Sequence, residues 1–234
     1  MLRSVPWVVA VVLVAVSTPS RVDAGACARP ELATRAVTPP GAELAKGGGV
    51  VVAMENAAKA PPMMFGKAAA TKTVIGAGLV VYTPPAGTGA LALQYKGKEL
   101  VSVKRGGDAK VLDAPKVASV RYSSWTGRRG TSVSVTVEIT GALPAGVVAV
   151  AVFDDKGKIR SWGQTTNLPP LEAKATTQVI SVYASGSCVV QPEGFAPSVT
   201  TDKVQVAYLD ASGRISAKTP AAVKAMPDDP NQIR

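Results

Sequence analysis

The chain has no histidine at all, and only two of its 234 residues are cysteine, Cys27 and Cys188; aromatic residues make up 5% and charged ones 18%. Imidazole is the commonest general base near neutral pH and the commonest biological metal ligand, so its absence excludes Ser-His-Asp and Cys-His catalysis and every His-based zinc centre. Two thiols do not complete a thiolate zinc site either. No Ser is followed three residues later by Lys, and no Gly-x-Ser-x-Gly nucleophile elbow occurs. The glycine clusters Gly47-Gly48-Gly49 and Gly76-Ala77-Gly78 lack the strand, turn and helix order that aims backbone amides at a phosphate, and read as bends.

Carboxylates are also few. Asp154-Asp155 and Asp228-Asp229 are the close pairs, and neighbouring acids on a turn do not face each other across a cleft as the acids of a glycosidase must. Asp154 and Asp210 read as caps of their own turns. A calcium site at Asp154, Asp155 and Asp210 requires the two turns to meet, against the opposing charges of Lys156, Lys158 and Arg214. Met54, Met63 and Met64 offer soft sulfur of the kind that suits Cu(I), as in extracytoplasmic copper carriers, but without the histidines such carriers add, and methionine is an ordinary core filler. The expectation is a protein that is not an enzyme, with no cofactor and no metal.

The chain has no apolar run of the roughly 20 residues that span a bilayer. Its longest, Val8 to Val16, follows Arg3 and precedes Pro19, Ser20 and small residues around Ala24 and Ala26. That is the three-part pattern of a secretory signal. Residues 1 to 24 are therefore read as a signal peptide, with a second cleavage point after Ala26, and the remainder as extracytoplasmic, periplasmic or secreted. In an oxidising exterior Cys27 and Cys188 are read as a disulfide, which in the chain-entropy model contributes about 4 to 5 kcal/mol. Ala24-Gly25-Ala26-Cys27 partly resembles a lipobox without its usual leucine; that alternative acylates Cys27, and only then is membrane contact expected.

What the chain has in quantity is valine, alanine and positive charge. Hydrophobic residues reach 47% and the net charge is +10. Valine favours pleated, half-buried surface, and a basic exterior attracts anions. Outside a membrane the matching partners are an anionic polysaccharide or an envelope protein, and nucleic acid is not expected. The basic spots are Lys104-Arg105 and Arg128-Arg129. The second lies in Trp125-Thr126-Gly127-Arg128-Arg129-Gly130, read as a loop where an aromatic that stacks on a sugar sits beside guanidinium groups that grip carboxylate or phosphate. Trp125, Arg128 and Arg129 are the candidate ligand contacts; the alternative tucks Trp125 into the core.

Strand signals recur along the chain. Val50 to Met54 is a short apolar run of buried-strand type. Lys72 to Tyr82 reads as one strand bent at Gly76 and Gly78. Leu91 to Tyr95 and Glu99 to Val103 flank a glycine turn as a hairpin. A breaker-rich stretch around 106 to 115 is read as a domain boundary. Beyond it, Val133, Val135, Val137 and Ile139 alternate with polar residues, and two further hairpins turn at Asp154 to Lys158 and Asp210 to Arg214. Tyr122, Trp125 and Trp162 are available as core aromatics. After Pro220 only a helical turn and a polar tail are expected.

About seven strands in roughly 100 residues, from 116 to 218, resemble the immunoglobulin or fibronectin type III sandwich in pattern. The paired intradomain cysteines of antibody domains are missing. The resemblance implies an all-β fold, an immunoglobulin-like antiparallel sandwich preceded by a smaller β lobe over 27 to 113 and followed by a tail over 219 to 234. It implies little about activity. The functional expectation is an exported, non-enzymatic binding or adhesion module of the cell envelope. The alternatives are a structural subunit or spacer of a surface assembly, and an enzyme of unrecognised type.

Overall fold

β-Branched side chains favour extended backbone, and among the described residues every regular element is a strand except one 3-10 turn at Ala57–Lys59. The computed structural model describes residues 34–54, 57–76, 78–87, 91–127, 130–165, 177–185 and 203–225, with backbone alone for 122–134, 177–185 and 225. Residues 1 to 24, read above as a signal peptide, and Cys27, Cys188, Arg128 and Arg129 lie outside the described residues.

The first half holds β1 (Arg35–Ala36), β2 (Glu43–Leu44), β3 (Val50–Ala53), β4 (Met64–Phe65), β5 (Ala68–Ala69), β6 (Thr71–Gly76), β7 (Leu79–Thr83), β8 (Ala92–Tyr95), β9 (Lys98–Ser102) and β10 (Lys104–Arg105). Residues 106–116 form no strand, and Val111 within them is 92% exposed. The second half holds β11 (Val117–Gly127), β12 (Gly130–Thr140), β13 (Val147–Phe153), β14 (Ile159–Gln164), β15 (Thr177–Ser185), β16 (Lys203–Asp210) and β17 (Thr219–Ala225).

The structure departs from the sequence reading in three places. The segment expected as one bent strand is the β6–β7 hairpin, because Gly76 and Gly78, at φ 117° and 77°, reverse the chain rather than bend it. The expected tail begins with a strand: β17 pairs antiparallel with β16 and parallel with β11. Burial of Val223 and packing of Ala221 against the same core override the weak strand propensity of Thr-Pro-Ala-Ala. Trp125 belongs to strand β11 and not to a loop.

Alternation along the strands sorts the buried side chains into three cores. In β3, Val50 and Val52 face a first core, closed from the other side by Phe65, Leu93 and Val101 of the small sheet β5-β4-β8-β9. Val51 and Ala53 point the opposite way, as do Leu79 and Val81 of β7, and meet Ala149, Ala151, Phe153, Ile159, Ala207 and Leu209 of the second half. The other faces of β13 and β16, through Val150, Val152, Val204, Val206 and Tyr208, pack on Val120, Val135, Val137 and Ile139 of β11 and β12. Strands β3, β7, β13 and β16 are thereby buried on both faces, and with β1, β6, β14, β17, β11, β12 and β15 they belong to one eleven-stranded sheet. The two halves thus share the central core, where complete burial of each Leu or Ile contributes about 1.5–3 kcal/mol. Trp162, expected among the sandwich aromatics, packs against this junction core, with the Arg35 guanidinium 5.9 Å from its ring centroid.

Polar contacts complete the junction. The Asp210–Arg214 turn plugs into the first half: Thr38 Oγ1 donates to the Ala211 carbonyl at 2.8 Å, the Ala45 amide donates to Ser212 Oγ at 2.8 Å, and the Gly49 amide donates to the Ser212 carbonyl at 2.9 Å. Close approach explains the glycines here. A Cβ on Gly48 would lie 2.6 Å from Ser212 Cβ, and one on Gly213 would lie 2.7 Å from a Val81 methyl. In the first core, buried Tyr82 donates its hydroxyl to the Pro61 carbonyl at 2.7 Å. Burial, helped by neighbouring Tyr95, pushes the Tyr82 phenol up to about 12.

Candidate functional site

Strands β11 and β12 form one long hairpin, paired from Ser119↔Glu138 to Gly127↔Gly130, so that positions 128 and 129 are its two-residue connection. Its register is fixed by burial. Val135, Val137 and Ile139 are in the core, and a slip of one residue would turn all three into water. Thr136, Glu138 and Thr140 hold the other alternation, and their face is open to solvent. Trp125 stands opposite Ser132, on the solvent-facing alternation, whereas Tyr122 stands opposite Val135, on the core-facing one.

The charges on this face neutralise one another. Arg121 donates through its guanidinium to Glu138, and Ser119 Oγ donates to the other carboxylate oxygen. The hydrogen bonds from Ser119 and Arg121 hold the Glu138 carboxyl below its usual range. The pair is solvent-exposed and adds little stability. Lys224 of β17 lies beside Arg121 in the parallel pairing, and exposed Lys203 stands opposite Ala222 one row away, so cations border the face along β16 and β17.

The two aspartate turns have one design. Asp154 accepts at its carboxylate from the Lys158 amide at 2.7 Å and from Arg160 Nε at 2.7 Å. Asp210 accepts from the Ser212 and Arg214 amides at 2.9 and 2.8 Å, and from the Arg214 guanidinium. Burial works against the Asp154 anion, but the Lys158 amide and Arg160 overcome it and hold the carboxyl below its usual range. The tips do not meet. In the antiparallel β13–β16 pairing Phe153 stands opposite Gln205 and Val147 opposite Asp210, so the turns leave opposite ends of the strands. Calcium shared between Asp154, Asp155 and Asp210 is thereby ruled out by topology.

The remaining candidates resolve into packing. Met54 and Met63 are buried in the first core and Met64 is half-buried on β4. Gly48 and Gly49 serve the junction between halves. Lys104 and Arg105 are exposed on β10, paired in parallel with Glu43 and Leu44. Among the described residues no three His, Cys, Asp or Glu side chains come close enough to hold a metal ion, and no helix is long and apolar enough to cross a membrane. Of the sequence candidates, Arg128 and Arg129 lie outside the described residues, and sequence reasoning did not name Arg121 and Lys224. Their proximity comes from a parallel pairing of strands about a hundred residues apart, which no local pattern announces. No protein-family model and no curated protein sequence matches the chain.

Proposed function

We propose that this chain is an exported, non-enzymatic binding or adhesion module of the cell envelope, whose second half is an immunoglobulin-like sandwich that contacts an anionic glycan or an envelope protein through the β11–β12 hairpin. The sandwich reading is supported by strand order and packing: β15-β12-β11-β17-β16-β13-β14 are seven consecutive strands of one sheet, and β11 and β12 share a core with β13 and β16. Loops at the ends of such a sandwich are the usual place for recognition. In this reading Cys27 and Cys188 form a disulfide in an oxidising, extracytoplasmic compartment.

The observation that carries the binding site is the register of the hairpin. Trp125 pairs with Ser132 two residues before the Gly127↔Gly130 pair, and Arg128 and Arg129 are the two residues between those glycines in the sequence. An aromatic ring supplies apolar area at low entropic cost, and a guanidinium supplies two-point recognition of an anionic group. The test is binding of the purified protein to hyaluronan, a linear anionic polysaccharide, by calorimetry at low salt. The double variant Trp125→Ala with Arg128→Ala is expected to bind about tenfold or more weakly, with the arginine share fading at high salt. Unaltered binding in the double variant would reject the site.

A further inference from the structure

The two halves are joined by one stretch of backbone and by one shared core, and the two connections differ sharply in protection. Residues 106–116 run from β10 to β11 without a strand, the longest such stretch among the described residues. Both ends of it are anchored. The Gly106 amide donates to the Leu44 carbonyl at 2.7 Å, and the Gly107 carbonyl accepts from the Lys46 amide at 3.0 Å. At the far end Leu112 packs on the core of the second half, and buried Pro115 accepts at its carbonyl from Thr219 Oγ1. Between the anchors Gly107 to Val111 are exposed at every position, and among the described residues no hydrogen bond reaches 108 to 114. Val111 is 92% exposed against 49% for Val74, the next large apolar side chain.

A protease takes its substrate as an extended segment, through main-chain hydrogen bonds and a pocket for the side chain before the scissile bond. Strand backbone has to leave its ladder first, whereas an exposed stretch with unbonded amides meets that demand as it stands. Lys110 supplies the side chain, exposed and followed by Val111. The neighbouring bases sit on held backbone: Lys104 and Arg105 belong to β10, paired with β2, and Lys116 gives its carbonyl to the Thr140 amide at 2.8 Å. From this we infer that the Lys110–Val111 bond is a processing site, cut by a serine protease of trypsin-like specificity, and that the product is a folded two-chain protein. Water adds across the bond: the C–N bond breaks, Lys110 becomes a C-terminal carboxylate and Val111 an N-terminal ammonium. The cut leaves the other connection whole. Val51, Leu79 and Val81 remain against Ala149, Phe153 and Leu209, and Thr38 and Ala45 remain bonded to the Asp210–Arg214 turn. The inference stands apart from the binding-module reading and survives its failure.

The experiment is a brief digestion of the purified protein with trypsin, without denaturant. Cut positions are read by mass spectrometry. Assembly is read by sizing in reductant, so that a bond between Cys27 and Cys188 does not hold the pieces. Two variants are digested alongside: Lys110→Gln removes the basic side chain, and Val111→Pro keeps it but removes the amide hydrogen after the scissile bond. A misfolded variant is cut faster, so slower cutting in either one reports the site itself. Cleavage after Lys110 is expected to run about tenfold or more faster than after Lys104, Arg105 or Lys116, and each variant should slow division between 104 and 116 by a similar factor. The two pieces should elute as one species at the size of the uncut protein. Equal rates at Arg105 or Lys116, or variants divided as fast as the unaltered chain, would overturn the site. Pieces that separate or precipitate would overturn the two-chain product.

Discussion

Strands β12 and β13 follow one another in the chain but are buried in different ways. In β12 valine and isoleucine alternate with serine, threonine and glutamate, and only one face is covered. In β13 every residue after Val147 is buried, because Val150 and Val152 face the sandwich core while Ala149, Ala151 and Phe153 face the first half. A strand between two cores reads as a continuous apolar run and one at a surface reads as alternation. The consequence is a division of labour. Strands such as β3 and β13 are occupied on both sides and tie the two halves together, whereas β12 over 135–140 is covered on one side.

The largest effect that can break this contrast is a charge placed on each kind of strand. Val51→Asp puts an unpaired carboxylate into the central core and is expected to cost about 4 kcal/mol or more, unfolding both halves in one transition. Thr136→Asp, on the outer face, should change stability by no more than about 0.5 kcal/mol. Calorimetry decides between them: a second half that kept its own transition at the original midpoint in Val51→Asp would show that the shared core is dispensable.

Alkaline titration gives a smaller effect. The Tyr82 phenol is raised from about 10 in the unfolded chain to about 12 when folded. Its contribution is therefore complete below pH 10 and is lost as pH rises through 12. Tyr208, also raised by burial, adds to the same loss. The midpoint of thermal unfolding should fall steeply above pH 10, and Tyr82→Phe should flatten most of that limb. An unchanged slope in the variant would mean that the first core does not set the alkaline limit.

The smallest effect belongs to the outer face. Glu138 is held below its ordinary range by Ser119 and Arg121, so its contribution is present above the unfolded carboxyl value and fades as pH falls through the folded one. Because the pair is exposed, Glu138→Gln should barely move the melting midpoint at neutral pH and should slightly shallow its decline in acid. A pronounced destabilisation at neutral pH would place the outer face among the structural elements instead.

The all-β class, the Lys96-Gly97 hairpin and the strand over 132 to 140 were legible because each rests on local chemistry: period two, turn glycines and β-branched side chains. The aspartate turns were legible for the same reason. The join between the halves was not, although its trace lay in plain view. Val50 to Ala53 and Leu79 to Tyr82 are apolar at every position, and a strand that needs both faces covered requires a partner on each side. What no local pattern could supply was the identity of the second partner, since the contacts run from Thr38 to Ala211 and from Ala45 to Ser212. Strand β17 was missed because alanine and proline propensities argue against a strand, and only the groove between β16 and β11 makes one of them. At the candidate site, the residue types of Trp125, Arg128 and Arg129 were visible in the sequence; the pairing of Arg121 with Lys224 emerges only from the cross-strand register.

The turn at Asp210–Arg214 also sets an order of events. Residues 37 to 81 present one apolar face before the residues that cover it, Ala149 to Ile159 and then Ala207 to Ala211, have been synthesised. Until then β3 and β7 carry a bare valine surface that any similar surface can meet. Contacts so distant in sequence form slowly and leave such intermediates open to aggregation. A chain truncated before β13 would keep that vulnerability permanently, so the second half of the polypeptide acts as the lid that closes over the first.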